Sequence, residues 1–140
     1  MDPEKVSQRV QEIISNLTGD IIVEGHLAAD VVPPELVHVV FILRRDPEDL
    51  RRILESRHYS VRKVKENVAS EILDVCLFDA VKRFSVNKVC EVNVTSRSLD
   101  DVVQEILDVL NGVRERKIGI VDWLGKLDAE GKLEEYLRDF

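Results

Sequence analysis

Three runs of aliphatic and β-branched residues, alternating with stretches of helical periodicity, predict an α/β fold. The expected form is three-layered, a parallel sheet with helices on both faces. The runs are Ile21–Val23 within DIIVEG, Val37–Leu43 (VHVVFIL) and Lys88–Val94 (KVCEVNV). The second is nearly all apolar and rich in β-branched residues, as a strand covered on both faces is. With 140 residues and 44% apolar content, the chain suits one domain, residues 1–140, with a single core.

The elements follow in order. Asp2 and Pro3 have the chemistry of an N-cap and a first helical position, and Val6, Val10, Ile13, Ile14 and Leu17 share one face up to the stop at Gly19. Pro33 and Pro34 exclude regular helix from the connection between the first two strands. After the second strand, Asp46-Pro47-Glu48-Asp49 opens a helix with Leu50, Ile53 and Leu54 on its inner side. Ser60 caps another. From Val61 to Arg83 no Gly or Pro intervenes, and Val64, Val68, Ile72, Val75 and Cys76 form a stripe. That predicts one helix of roughly 35 Å. Ser98 starts a further helix that ends at Asn111-Gly112, and the tail from Ile118 holds one or two short helices, with Trp123 anchoring them to the core.

Charge is unevenly spread. The chain carries −7, yet Arg44 to Lys65 holds eight cations against four carboxylates, a local +4. The net charge disfavours a nucleic-acid coat working by bulk charge. It leaves room for a local phosphate site, because screening removes distant charge beyond about 8 Å. Some of these cations are solvated partners of Glu48, Asp49 and Glu55, with Arg51 and Arg52 fitting that description best and Arg57 least. In parallel α/β sheets ligands sit at the carboxyl ends of the strands. All three runs end in polar groups there: Glu24-Gly25-His26, Arg44-Arg45-Asp46 and Asn93 to Arg97. Cys76 and Cys90 lack metal-site spacing and read as two buried, reduced thiols of a cytoplasmic protein. No run reaches the length of a membrane span.

Four spaced motifs carry a family resemblance: Glu24-Gly25-His26, Leu43-Arg44-Arg45-Asp46-Pro47, Arg57-His58-Tyr59 and Glu66-Asn67. With the Thr95–Ser98 loop, they resemble the archaeal adenylate kinases related to the coilin-interacting nuclear adenylate kinase of eukaryotes. These are P-loop nucleoside-monophosphate kinases with ATPase activity, linked to maturation of the small ribosomal subunit. The resemblance implies a lid at about residues 56–66, with Arg57, Arg62, Lys63 and Arg44 on nucleotide phosphates and Arg97 beside the adenine. Glu24 would hold Mg²⁺ through water, and His26 would position the reacting group. ATP and Mg²⁺ are the implied ligands of a complete enzyme.

The sequence departs from the family pattern in one large respect. No G-x-x-x-x-G-K-[ST] occurs, so the strand, loop and helix of Walker A are missing, and the chain corresponds to the C-terminal part of such a kinase. His58 replaces the glycine of RGY, and Glu24 stands where Asp is usual. Three readings follow. In one, Met1 is internal and a longer protein with some forty further residues is an adenylate kinase/ATPase. In another, the chain is a non-catalytic module that binds a ribosomal protein or rRNA in small-subunit assembly. A generic anion site on an α/β frame is a third. Sheet edges left open by a missing strand favour self-association.

Overall fold

The computed structural model describes residues 2–139. Two strands run parallel, β1 (Val40–Arg44) and β2 (Val89–Asn93), in the register Val40 opposite Val89 through Arg44 opposite Asn93. The chain is a mixed α/β fold: helices outnumber strands and this pair is the whole sheet among the described residues. No helix there is long and apolar enough to cross a membrane.

The third expected strand does not form. Residues 21–24 make no ladder and take no regular structure, and Ile22 is 92% exposed. Its apolar pattern suits a strand, yet a strand exists only against a neighbour that takes its N–H and C=O groups. The preceding helix α1 (Pro3–Ser15) starts as the sequence predicts, with Asp2 accepting from Glu4 N and Pro3 in the first turn, but it buries none of its residues. Its contacts are with α2 (Ala28–Val31), which leads through a 3-10 turn at Pro34–Leu36 into β1.

Helix α3 (Pro47–Ser56) follows β1, capped by Asp46, and α4 (Val61–Ile72) follows Ser60, whose hydroxyl accepts from Lys63 N. The single long helix expected over Val61–Arg83 is instead two. After α4 the chain breaks at Leu73-Asp74 and resumes as α5 (Val75–Phe84), with Asp74 left-handed at φ 58°. The cause lies 30 residues away. Arg44 donates to the Glu71 carbonyl at 3.0 Å and to Asp74 Oδ1 at 2.6 Å, so it claims groups at the point where the helix would continue. Asp tolerates the left-handed region better than most residues, which keeps the break affordable without glycine. The break re-phases α5: Leu77, Ala80, Val81 and Phe84 turn inward and Cys76 outward. Cys76 is therefore exposed, not buried as its position in the stripe suggested, while Cys90 is buried.

Helix α6 (Leu99–Leu110) is capped by Ser98 and ends at Gly112, φ 74°. Past it, Lys117 accepts Glu91 N on the side of β2 away from β1. The tail then forms α7 (Trp123–Ala129) and α8 (Leu133–Leu137). Two apolar clusters result. One lies where α5 meets the sheet and includes Ile42, Ala80, Phe84 and Val89. The other binds α3 and α4 to the tail and includes Leu54, Val68, Ile72, Trp123, Leu127 and Tyr136.

Candidate functional site

The turns after β1 and β2 are joined. Asp46 N donates to Thr95 Oγ1 at 2.8 Å, and the same hydroxyl donates to Asn93 Oδ1 at 2.8 Å. Two of the three polar strand ends thus meet at one sheet edge, as parallel pairing requires. From that edge α3 leaves and α4 returns, since the last turn of α4 carries Glu71, whose carboxylate accepts Arg44 Nε at 2.9 Å and Arg45 N at 3.2 Å. Ten helical residues carry the connecting turn, Arg57–Ser60, about 15 Å out.

The root of this hairpin is a buried ion cluster. Arg44 is 2% exposed and pairs with Glu71, Asp74 and Glu91. Burial works against its charge, but the three carboxylates outweigh it and hold the guanidinium protonated well above its ordinary range. Burial likewise pushes the Glu71 carboxyl up, against the pull of Arg44 and a hydrogen bond from Trp123 Nε1 at 2.8 Å. Glu91 also accepts Gly119 N from the segment that flanks β2. The expectation that Arg44 contacts phosphate is corrected here. Its guanidinium is spent on three carboxylates and a carbonyl inside the protein. A lone Glu within the apolar run VCEVN was the sequence signal that a buried cation had to be near.

The tip is different. Arg57 caps the end of α3, and the turn closes as a Schellman motif: His58 N donates to the Glu55 carbonyl at 3.0 Å and Tyr59 N to the Leu54 carbonyl at 3.3 Å. His58 holds the left-handed position at φ 61°, the conformation a glycine adopts freely. We expect His58→Gly to leave stability unchanged or raise it by up to about 1 kcal/mol, and His58→Val to lower it by about 1–2 kcal/mol, as read from urea denaturation midpoints. Equal effects of the two variants would mean that the strain is absent.

Arg57, His58, Tyr59, Ser60 and Lys63 line an open hollow of about 340 Å³. Most cations of the basic stretch are matched: Arg45 and Arg52 to Asp49, Arg51 to Glu135, Arg62 to Glu66 and Lys65 to Asp139. Among the described residues the Arg57 and Lys63 side chains make no ion pair or hydrogen bond, and both face this hollow. Arg97 is folded onto its own helix, bonded to Asp101 at 2.7 Å, to Glu105 at 2.9 Å and to the Asn93 carbonyl at 3.0 Å, with the Asp101 carboxylate raising its pKa.

Glu24 and His26 are exposed in the segment before α2. That helix lies beside α5. No hydrogen bond or ion pair among the described residues joins Glu24 or His26 to Arg57, Arg62 or Lys63, and the tip hollow includes neither. No group of three potential metal ligands occurs among the described residues. Mg²⁺ commonly needs only one or two protein carboxylates when nucleotide phosphates supply the rest, a role Glu24 can fill singly.

A parallel sheet whose carboxyl edge roots a helical hairpin with unmatched cations at its tip defines an α/β domain with an arm suited to anions. The chain is 35% identical over 137 residues to a protein of Thermococcus onnurineus named "Putative adenylate kinase", covering 98% of this chain and 70% of that one. Proteins of the same name from Methanocaldococcus jannaschii and Archaeoglobus fulgidus are 36% and 35% identical, over 90% and 92% of this chain and 65% and 70% of their own. The chain belongs to the adenylate kinase family that these archaeal proteins represent, and it spans about two thirds of their length. No protein-family model matches it.

Proposed function

We propose that residues 1–140 form the lid-bearing part of an adenylate kinase-like phosphotransferase acting on adenine nucleotides, with the lid at about residues 56–66. The observation that carries this is the tip, where Arg57 and Lys63 are unmatched among the described residues while their neighbours are paired. Transfer between two nucleotides concentrates negative charge, and catalysis is then mostly positioning and charge stabilisation. Arg57 and Lys63 bind the phosphates, with Arg62 released from Glu66 to join them. Glu24 holds Mg²⁺ through water, His26 positions the transferred group and Arg97 lies against the base. Helices on both faces of a larger sheet complete the three-layer form.

This chain contains no phosphate-cradling G-x-x-x-x-G-K-[ST] loop, so we expect no ADP from ATP and AMP with it alone. Weak ATP binding by calorimetry should fall about five- to tenfold in Arg57→Ala, the loss of one charge-assisted contact. Turnover by the purified chain that Arg57→Ala abolishes would refute the first expectation. ATP binding unchanged in Arg57→Ala and Lys63→Ala would refute the role of the tip. A second reading, a module that binds a ribosomal protein or rRNA during small-subunit assembly, draws support from the apolar surface of α1 and α6, which a partner could cover.

A further inference from the structure

His58 occupies the apex of the arm at φ 61°, in a place that glycine fills without strain. Two backbone bonds fix it there, from its own N–H to the Glu55 carbonyl at 3.0 Å and from Tyr59 N to the Leu54 carbonyl at 3.3 Å. Strained backbone positions that persist in a fold cluster at ligand clamps and switches. Here the strained residue puts an imidazole in the wall of the hollow that Arg57, Tyr59, Ser60 and Lys63 also line. Among the described residues the ring makes no hydrogen bond or ion pair, and no carboxylate lines the hollow. Arg57 comes to it from the end of α3 and Lys63 from the first turn of α4. Glu55, Arg62 and Glu66 are outside the lining, the last two paired with each other at 2.9 Å, and no residue of α7 or α8 reaches it.

We infer that His58 is a third phosphate ligand of the tip, and that its protonation tightens the tip's hold on the polyphosphate of a nucleotide as pH falls below neutrality. This rests on the reading of the tip as a phosphate site. Imidazole is the side chain that gains charge between pH 8 and 5, while arginine and lysine carry theirs throughout. A triphosphate in the hollow meets two fixed cations at pH 7.5 and three cations at pH 5.5, with no acid in the wall to neutralise the third. The coupling is reciprocal: the charged ring holds the anion more tightly, and the bound anion favours the charged ring. His26 and His38 lie outside the hollow, so their titration does not set its charge.

Calorimetric titration of the chain with ATP at pH 7.5, 6.5 and 5.5, at constant ionic strength, tests this. The terminal phosphate also takes up a proton in this window, so the quantity that counts is the ratio of wild-type to variant affinity at each pH. Against His58→Gly and against His58→Asn, that ratio should rise about three- to fivefold between pH 7.5 and 5.5, the size of one exposed charge-assisted contact. Both replacements suit a left-handed position and keep the fold, which circular dichroism checks. His58→Lys carries its charge at every pH tested, so it should bind ATP more tightly than wild type at pH 7.5 and lose that advantage at pH 5.5. A ratio that stays constant with pH for either variant, while Arg57→Ala still weakens binding, would overturn the inference and leave the phosphate reading of the tip standing. ATP binding indifferent to Arg57→Ala and Lys63→Ala, or absent at every pH, would overturn that reading and this inference with it.

Discussion

Arg44→Ala should remove about 3–5 kcal/mol of folding stability, a large share of the 5–15 kcal/mol typical of such a domain. Truncation leaves Glu71, Asp74 and Glu91 facing one another without their only shared cation, with Glu91 wholly out of solvent. It also removes the donor that holds the Glu71 carbonyl at the α4–α5 break. Arg44→Lys should recover less than half the loss, because an ammonium cannot span four acceptors as a planar fork does. Urea unfolding at neutral pH measures both. The pH dependence has a definite sign. Burial already raises the Glu71 pKa above its unfolded value, so its contribution declines as pH rises between the two. Without Arg44 the Glu71 carboxyl loses that cation's pull and is raised further. The deficit of Arg44→Ala should therefore be greatest at and above neutral pH and shrink as pH falls toward about 5. A deficit independent of pH would count against the ion cluster as its source.

Trp123→Ala should cost about 3–5 kcal/mol. The indole is buried among Leu54, Val64, Val68 and Ile72, and its N–H meets Glu71. Trp123→Phe keeps much of the packing and removes the donor, so it should cost about 1–3 kcal/mol. Since Trp123 is the only tryptophan, circular dichroism has to follow the unfolding. Amide exchange should quicken in α3 and α4 more than in β1 and β2, because the lost anchor belongs to the hairpin cluster. Uniform quickening across both clusters would show that the two halves unfold as one.

Local chemistry was readable wherever it alone decides structure. Asp2, Asp46, Ser60 and Ser98 cap helices as their patterns predict, β1 and β2 fall within the expected runs, and Trp123 anchors the tail. The failures share one physical origin: each turns on a group distant in sequence. Ile21–Val23 has a strand's composition but no ladder partner. The Val61–Arg83 stripe is continuous, and Arg44 divides it from across the molecule. Arg44 itself sits at a strand end where phosphate contact was expected, and three carboxylates brought from α4, the helix break and β2 draw it inside. Of the candidate site, the Arg57-His58-Tyr59 turn was legible because a helix stop followed by a capping Ser is a local signal. That the hollow at this turn includes neither Glu24 nor His26 was not, since nothing in either segment encodes its distant neighbours.

The tail lies along the hairpin for its whole length. Lys126 grips Asp46 at the root, Lys132 meets Glu48, Arg51 rests 4.8 Å from the Tyr136 ring, and Lys65 reaches Asp139 near the end of the chain. The arm is consequently a four-helix beam and not a pair of helices free to bend. Any swing of its tip over a ligand must carry α7 and α8 along with α3 and α4 as one load.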